Sequence, residues 1–452
     1  MGAASESKRK GTGYLAIARL VWPLALGMVN NAVMQFVDRA FLARESMESL
    51  EAALPASMLA LLLLGFFQGI VAYSGTFVAQ HHGAKDPDGV AAAYRAGTLL
   101  ALASGAVILL ALPLGGLVFP STTANPEVLS RELSYYRILT AGGVAMFGQM
   151  AAASFFTGIG QTRLVFLVNV AGNLLNVFLD ALLIFGWRFV PALGIAGAAY
   201  ATVAATAFQW AVLALCVRPG AGPGGRKVVK MAGGILRYGV PSGAYSVLNI
   251  LSFTVFVFVT GRVGDVALAV SNAAFSVNYL LIAPMEGFAL GAATLVGQAQ
   301  GGGDPVRAKA DGWRTLVLGL VTVAVLSLLA VVFAHPILDL FAPNDAASAR
   351  EFHETGFVLF VLMAAWQLFD AADVVLSGAL KGAGDTRFVM VWILVIAFGL
   401  WLPLVFAVAA FHNTMPALWA TMIVYVAVLC VGTGLRWHRG AWRRHRLVSA
   451  PG

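Results

Sequence analysis

Apolar runs of about twenty residues recur along this chain, at 53–79, 101–119, 316–334 and 388–411 among others. A helix needs about twenty apolar residues to cross the hydrocarbon of a bilayer. In lipid only helices or a closed barrel satisfy their own backbone, and these runs lack the strict alternation of barrel strands. The chain is therefore expected to fold as an all-α integral membrane protein. Composition agrees, with 60% hydrophobic and 11% charged residues, against about 25% charged in a soluble domain.

Reading apolar runs between polar breaks gives twelve transmembrane helices, at 14–42, 53–80, 90–119, 131–157, 161–187, 192–217, 237–262, 266–298, 309–336, 352–380, 387–411 and 414–436. The net charge is +8. In a soluble chain that would point to nucleic acid. Here the basic residues fall in loops and tails, where they set topology by the positive-inside rule. Lys8, Arg9 and Lys10 precede the first helix, Arg218, Arg226, Lys227, Lys230 and Arg237 follow the sixth, and Arg436, Arg439, Arg443, Arg444 and Arg446 follow the last. Lys85, Arg163, Arg307, Lys309, Lys381 and Arg387 read as loop residues of that same side. An even helix count then puts both termini in the cytoplasm. The expected organisation is a cytoplasmic tail at 1–13, six helices at 14–217, a cytoplasmic linker at 218–236, six helices at 237–436 and a basic cytoplasmic tail at 437–452. The membrane is the plasma membrane, which is the inner membrane in a Gram-negative source.

The two halves repeat. Gln80-His-His-Gly83-Ala-Lys-Asp86-Pro87 matches Gln298-Ala-Gln-Gly301-Gly-Gly-Asp304-Pro305, and at the same spacing Pro23 matches Pro241, Asn31 matches Asn249 and Gly69 matches Gly287. Gly158-Ile-Gly160-Gln-Thr162-Arg163 matches Gly382-Ala-Gly384-Asp-Thr386-Arg387. Six helices followed by six in the same order form a parallel repeat, so a pseudo-two-fold axis along the membrane normal should relate two six-helix lobes. Substrate sites in such proteins lie near the bilayer midplane.

Five carboxylates fall inside the apolar helices: Asp38, Asp180, Glu286, Asp370 and Asp373. An ionised group there costs at least about 2.5–3.5 kcal/mol, and acids kept at that depth handle ions, protons or cationic solutes. The fifth helix carries Asn169, Asn173, Asn176 and Asp180 at helical spacing, and the first carries Asn31, Gln35 and Asp38, so each set shares one face. Carboxylate and amide oxygens are the ligand set of a hard cation such as Na⁺. The same stripes could instead be an interhelical hydrogen-bond network, worth about 0.6 kcal/mol per contact. The tenth helix carries Gln367, Asp370, Asp373 and Ser377. Two carboxylates that close repel one another, which suits a proton acceptor, unless Asp373 lies nearer the cytoplasm and is solvated. Glu286 follows Pro284, and proline frees backbone groups that an acid can satisfy. Glu286 thus reads either as a functional acid or as a structural bond.

Cys216 and Cys430 sit in apolar helices without ligand-like neighbours and read as packing residues. No Walker loop, nucleophile elbow, zinc motif or dinucleotide fingerprint is present, so no enzyme activity and no cofactor are expected. Without a nucleotide site, the energy source is expected to be an ion gradient, Na⁺ or H⁺, or to come from a partner.

Taken in order, these residues resemble the multidrug and toxic compound extrusion (MATE) transporters. The carrying segments are Phe36-Val-Asp38, Gln80 to Gly83, Gly158-Ile-Gly160-Gln-Thr162, Asn176-Val-Phe-Leu-Asp180, Gly194-Ile-Ala-Gly197-Ala-Ala-Tyr-Ala-Thr202, Leu295-Val-Gly297-Gln298 and Ala379-Leu-Lys-Gly382-Ala-Gly384-Asp-Thr386. The resemblance implies a V-shaped pair of lobes around a central cavity. It also implies alternating access, with export of hydrophobic organic cations or other amphipathic drugs from a monomer in exchange for Na⁺ or H⁺. It assigns the N-lobe cation or proton site, with Na⁺ as the metal it would take, to Asp38, Asn176, Asp180 and Thr202. In the C-lobe it points to Asp370. Members relying on the C-lobe often carry a seventh-helix Glu. That position is Asn249 here, which favours the N-lobe site and leaves Glu286 as a nearby acid that could compensate. Pro23 and Pro241 are the expected bending points of their helices. The rival within the wider superfamily is a flippase for lipid-linked precursors, which would want a cationic cavity for phosphate.

Overall fold

A computed structural model describes residues 12–218, 224–342, 346–412, 414–445 and 447. Lys8, Arg9 and Lys10 of the expected N-terminal tail, residues 219–223 of the linker, and Arg446 with residues 448–452 lie outside the described residues.

The first half runs through α1 (Tyr14–Glu45), α2 (Met47–Ala72), α3 (Ser74–Gly83), α4 (Pro87–Ile108), the short α5 (Leu114–Val118), α6 (Pro126–Ala141), α7 (Gly143–Gly158), α8 (Thr162–Phe185) and α9 (Ile195–Cys216). The second runs through α10 (Gly225–Thr260), α11 (Asp265–Gly301), α12 (Pro305–Val332), the short α13 (Ala334–Asp339), α14 (Ala346–Gly382), α15 (Thr386–Ile396), α16 (Leu402–Phe411) and α17 (Met415–Arg439). Among the described residues, eleven helices are long and apolar enough to cross a membrane, and twelve if α6 and α7, bent by 41° at Gly142, form one span. That matches the count read from the apolar runs. The helices α1, α10 and α11 continue through Pro23, Pro241 and Pro284.

The repeated motifs fold as repeated turns. Asp86 caps α4 by accepting from the Gly89 N–H at 2.9 Å, and Asp304 caps α12 by accepting from the Arg307 N–H at 2.9 Å. Pro87 and Pro305 stand at the first helical position, where the missing N–H costs nothing. Lys85 and Gly303 both take a positive φ just before these caps, and so do Gly160 and Gly384 in the second repeated motif.

Two expected boundaries move. The linker read at 218–236 is shorter, because α10 begins at Gly225 and takes in Arg226, Lys227, Lys230 and Arg237. Their long side chains keep a charged head in water while the backbone stays helical, so hydropathy starts the helix late. The basic tail read from 437 is folded near its start. α17 continues to Arg439, and Trp437 and Trp442 are fully buried and stacked with centroids 4.3 Å apart. Trp437 fills the space beside Gly312, and Asp385 pairs with Arg436 at 2.7 Å.

By contacts, the described residues form two compact units, one within residues 26–247 and one joining residues 12–25 to those from 248 onward. Residues 12–25 thus group with the second half, and described residues up to 247 group with the first. In the first unit the alanine-rich face of α2 (Ala52, Ala53, Ala56, Ala60) packs with Phe119, Tyr136 and Phe147. In the second, Gly378 and Gly382 of α14 lie against the backbone of Ala289 and Ala293 of α11. There Asp311 of α12, fully buried, accepts from the Thr12 N–H at 2.7 Å and the Thr12 hydroxyl at 2.8 Å, and Arg307 reaches it at 3.3 Å.

Candidate functional site

The first-half candidates converge within one unit. α1 presents Asp38, α8 presents Asn176 and Asp180, and α9 presents Thr202. Asn176 and Asp180 are fully buried; Asp38 and Thr202 are half-buried. The carboxyls of Asp38 and Asp180 are neighbours across one Asn176 amide. One orientation of the Asn176 amide satisfies both its nitrogen and its oxygen. Its nitrogen donates to Asp38 Oδ1 and Asp180 Oδ2, each at 3.1 Å, and its oxygen accepts from the Thr202 N–H at 3.2 Å. Turned the other way, its nitrogen meets Thr202 Oγ1 at 3.5 Å and its oxygen faces only acceptors.

Asp180 Oδ1 is buried and receives no amide or hydroxyl hydrogen bond among the described residues. A buried oxygen left so is costly. A shared acid proton or a bound cation would satisfy it. The donor set suits either: two carboxylates, an amide and a hydroxyl are hard oxygen ligands.

The asparagine stripe divides. Asn31 Oδ1 accepts from Asn169 at 2.8 Å and Asn173 at 3.0 Å, and Asn30 donates to Asn169 Oδ1 at 2.9 Å. Gln209 of α9 reaches Asn173 Oδ1 at 3.4 Å. One end of the stripe is therefore an interhelical amide network, while its other end, Asn176 with Asp180, joins the acid of α1. Sequence reasoning missed Gln209, although it stands at helical spacing from Thr202. It also missed Tyr135 of α6, a buried phenol that is a charge neighbour of Asp38 and Asp180. An aromatic in an apolar helix carries no sequence signal of such a role.

The second-half candidates gather more loosely. Asp370 of α14 is a charge neighbour of Asp373 and of Glu286 of α11. Asp373 is buried, and its Oδ1 accepts from the Thr433 hydroxyl at 2.9 Å, so it is not the solvated residue that one reading allowed. Glu286 is exposed although it lies deep within its helix. Gln367 is fully buried, donates to Asn278, and keeps its Oε1 without a hydrogen-bond partner among the described residues. Asn249 is exposed, and none of the hydrogen bonds described joins its side chain to the acids. Lys381, expected in a cytoplasmic loop, lies in the last turn of α14 and is a charge neighbour of Glu286 and Asp373. The loop expectation failed because a lysine near a helix end looks like a loop cation whether its head points out or back.

Among the described residues, the apolar helical spans are those of a multi-pass membrane protein. The family profile MatE matches residues 23–182 and 241–407, and the chain belongs to that family. The chain is 28% identical over 387 residues to the probable multidrug resistance protein NorM of Pseudomonas aeruginosa, covering 82% of this chain and 78% of the relative. It is 28% identical over 463 residues to the multidrug resistance protein NorM of Burkholderia vietnamiensis, covering 96% and 95%. Its fold matches the outward-facing conformation of a multidrug resistance MATE family transporter, with a TM-score of 0.85 at 20% identity over 96% of this chain and 98% of that one. A MOP superfamily transporter of Pyrococcus furiosus, described as having a binding pocket of reversed polarity, matches with a TM-score of 0.83 at 20% identity, covering 97% and 98%.

Proposed function

We propose that this protein exports cationic or amphipathic drugs in exchange for Na⁺ or H⁺ by alternating access. The observation that carries this reading is the Asp38–Asn176–Asp180 cluster. It holds two acids against one another with a single amide between them and leaves Asp180 Oδ1 without a fixed donor. Such a site changes its charge when a proton or Na⁺ enters or leaves. In each cycle the cation binds Asp38 and Asp180, with Asn176 and Thr202 as supporting oxygen ligands. Bending of α1 near Pro23 then displaces the drug. Asp370, with Asp373 and Glu286, supplies negative charge in the second half for a cationic drug or a second proton. Family membership and the NorM relatives support drug efflux in particular.

A flippase for lipid-linked precursors would need cations facing its phosphate. Both candidate clusters here are acidic at their centres, which favours cationic cargo.

Efflux of a fluorescent cationic dye from drug-hypersensitive cells tests the reading. Cells expressing the protein should hold less dye than cells without it, and Asp38→Asn should return them to the empty-vector level at equal membrane expression. Dye levels equal to the empty vector for the unaltered, inserted protein would count against drug export.

A further inference from the structure

The span formed by α6 and α7 bends by 41° at Gly142. A Cβ at Gly142 would lie 2.2 Å from Val203 Cγ2 of α9, so the two segments touch at the bend. Beside that contact lies a cavity of about 740 Å³. α6 supplies Arg137 and Ala141 to its wall, α9 supplies Tyr200 and Val203, and the turn after α4 supplies Leu112 and Pro113.

Arg137 is the unusual member. It lies well inside α6, about 16 Å from the start of that helix at about 1.5 Å per residue. It is exposed, and it forms no ion pair or hydrogen bond among the described residues. An unpaired arginine at membrane depth is costly and points to a partner. The surface around the cavity is lipid-facing in character. Leu110 and Leu117, flanking the Leu112–Pro113 wall, are 78% and 77% exposed, and Tyr200 offers a phenol, half exposed, of the kind that favours the headgroup boundary.

We propose that this cleft binds one anionic phospholipid. The phosphate lies on the Arg137 guanidinium, which matches its oxygens in a fork, with the Tyr200 hydroxyl as a second donor. One acyl chain lies along Leu112, Pro113 and Val203. The site is remote in function from the acidic clusters, and its test needs no transport.

Native mass spectrometry of the purified protein, given equimolar phosphatidylglycerol and phosphatidylcholine, provides the test. The unaltered protein should retain phosphatidylglycerol about fivefold over phosphatidylcholine, the effect of one basic side chain on an anionic headgroup. Arg137→Gln should remove that preference, and Ala141→Trp, which fills the cleft, should reduce retention of both lipids. Equal retention of the two lipids by the unaltered protein would overturn the proposal. So would a preference that survives Arg137→Gln, retention unchanged in Ala141→Trp, or displacement of the lipid by inorganic phosphate, which would mark a small-anion site instead.

Discussion

Gly69 packs against Gly243 so closely that a Cβ on Gly69 would sit 2.6 Å from Gly243 Cα. Gly287 meets Ala25 in the same way, with its Cβ position 2.3 Å from Ala25 N. The two contacts are copies, related by the spacing that matches Pro23 to Pro241. Each places a glycine of the second helix of one half beside backbone just past the proline of the other half's first helix. Replacing Gly69 with Leu should therefore force these backbones apart, at a cost of about 1–3 kcal/mol or more. A fall in the melting temperature of the detergent-purified protein checks this, and Gly287→Leu should behave alike.

The two ends of the asparagine stripe should respond differently to mutation. Asn176→Leu removes the amide shared by Asp38 and Asp180, and efflux should drop at least about tenfold with insertion unchanged, the size of an effect of about 1.4 kcal/mol or more on coupling. Asn169→Leu breaks only the amide network with Asn30 and Asn31. It should cost about 0.6–1.7 kcal/mol of stability and leave the ion dependence of transport as it was. Efflux assays with a parallel melting curve separate the two outcomes.

Asp311 gathers the Thr12 N–H and hydroxyl and the Arg307 guanidinium at a fully buried carboxylate. Asp311→Ala leaves those donors unmet, and a buried unsatisfied group costs about 1–3 kcal/mol. The melting temperature should fall, and limited proteolysis should cut faster near Thr12. Thr12→Ala removes one hydroxyl only and should show a smaller fall.

Asp86 sets a modest dependence on acidity at the start of α4. Burial works to raise its carboxyl, but the Gly89 N–H, His81 at 2.9 Å and the charge of Lys227 outweigh it and hold the group below the ordinary value. A carboxyl lowered by folding stabilises the protein above its unfolded value, and that stabilisation is lost as pH falls through the folded value. Its side chain is 37% exposed, so solvent screens the effect to under about 1 kcal/mol. Melting curves taken from about pH 5 downward should lose this component in Asp86→Asn.

Helix number, the repeat and the acids of the first-half cluster were readable because each leaves a local trace. Apolar length marks a span, Asp-Pro marks a cap, and spacing of three and four marks a face. Spacing does not name the partner across the interface. It could not tell that Asn169 and Asn173 bond to Asn31 while Asn176 turns to Asp38. Charge near a helix end is equally ambiguous, which is why Lys381 and the start of α10 were placed in loops. Asp311 escaped notice because it follows Arg307 and Lys309 and looks solvated. Trp437 and Trp442 lie among arginines, and their burial against Gly312 is a tertiary fact that composition does not carry.

In the proposed cycle, ion binding at Asp38 and Asp180 drives drug export. Drug efflux from proteoliposomes, with Na⁺ and pH gradients imposed one at a time, tests it most directly. At least one gradient should drive efflux by the unaltered protein, and neither should drive it in Asp38→Asn, although the variant is folded and inserted. Gradient-driven efflux by Asp38→Asn equal to that of the unaltered protein would contradict it.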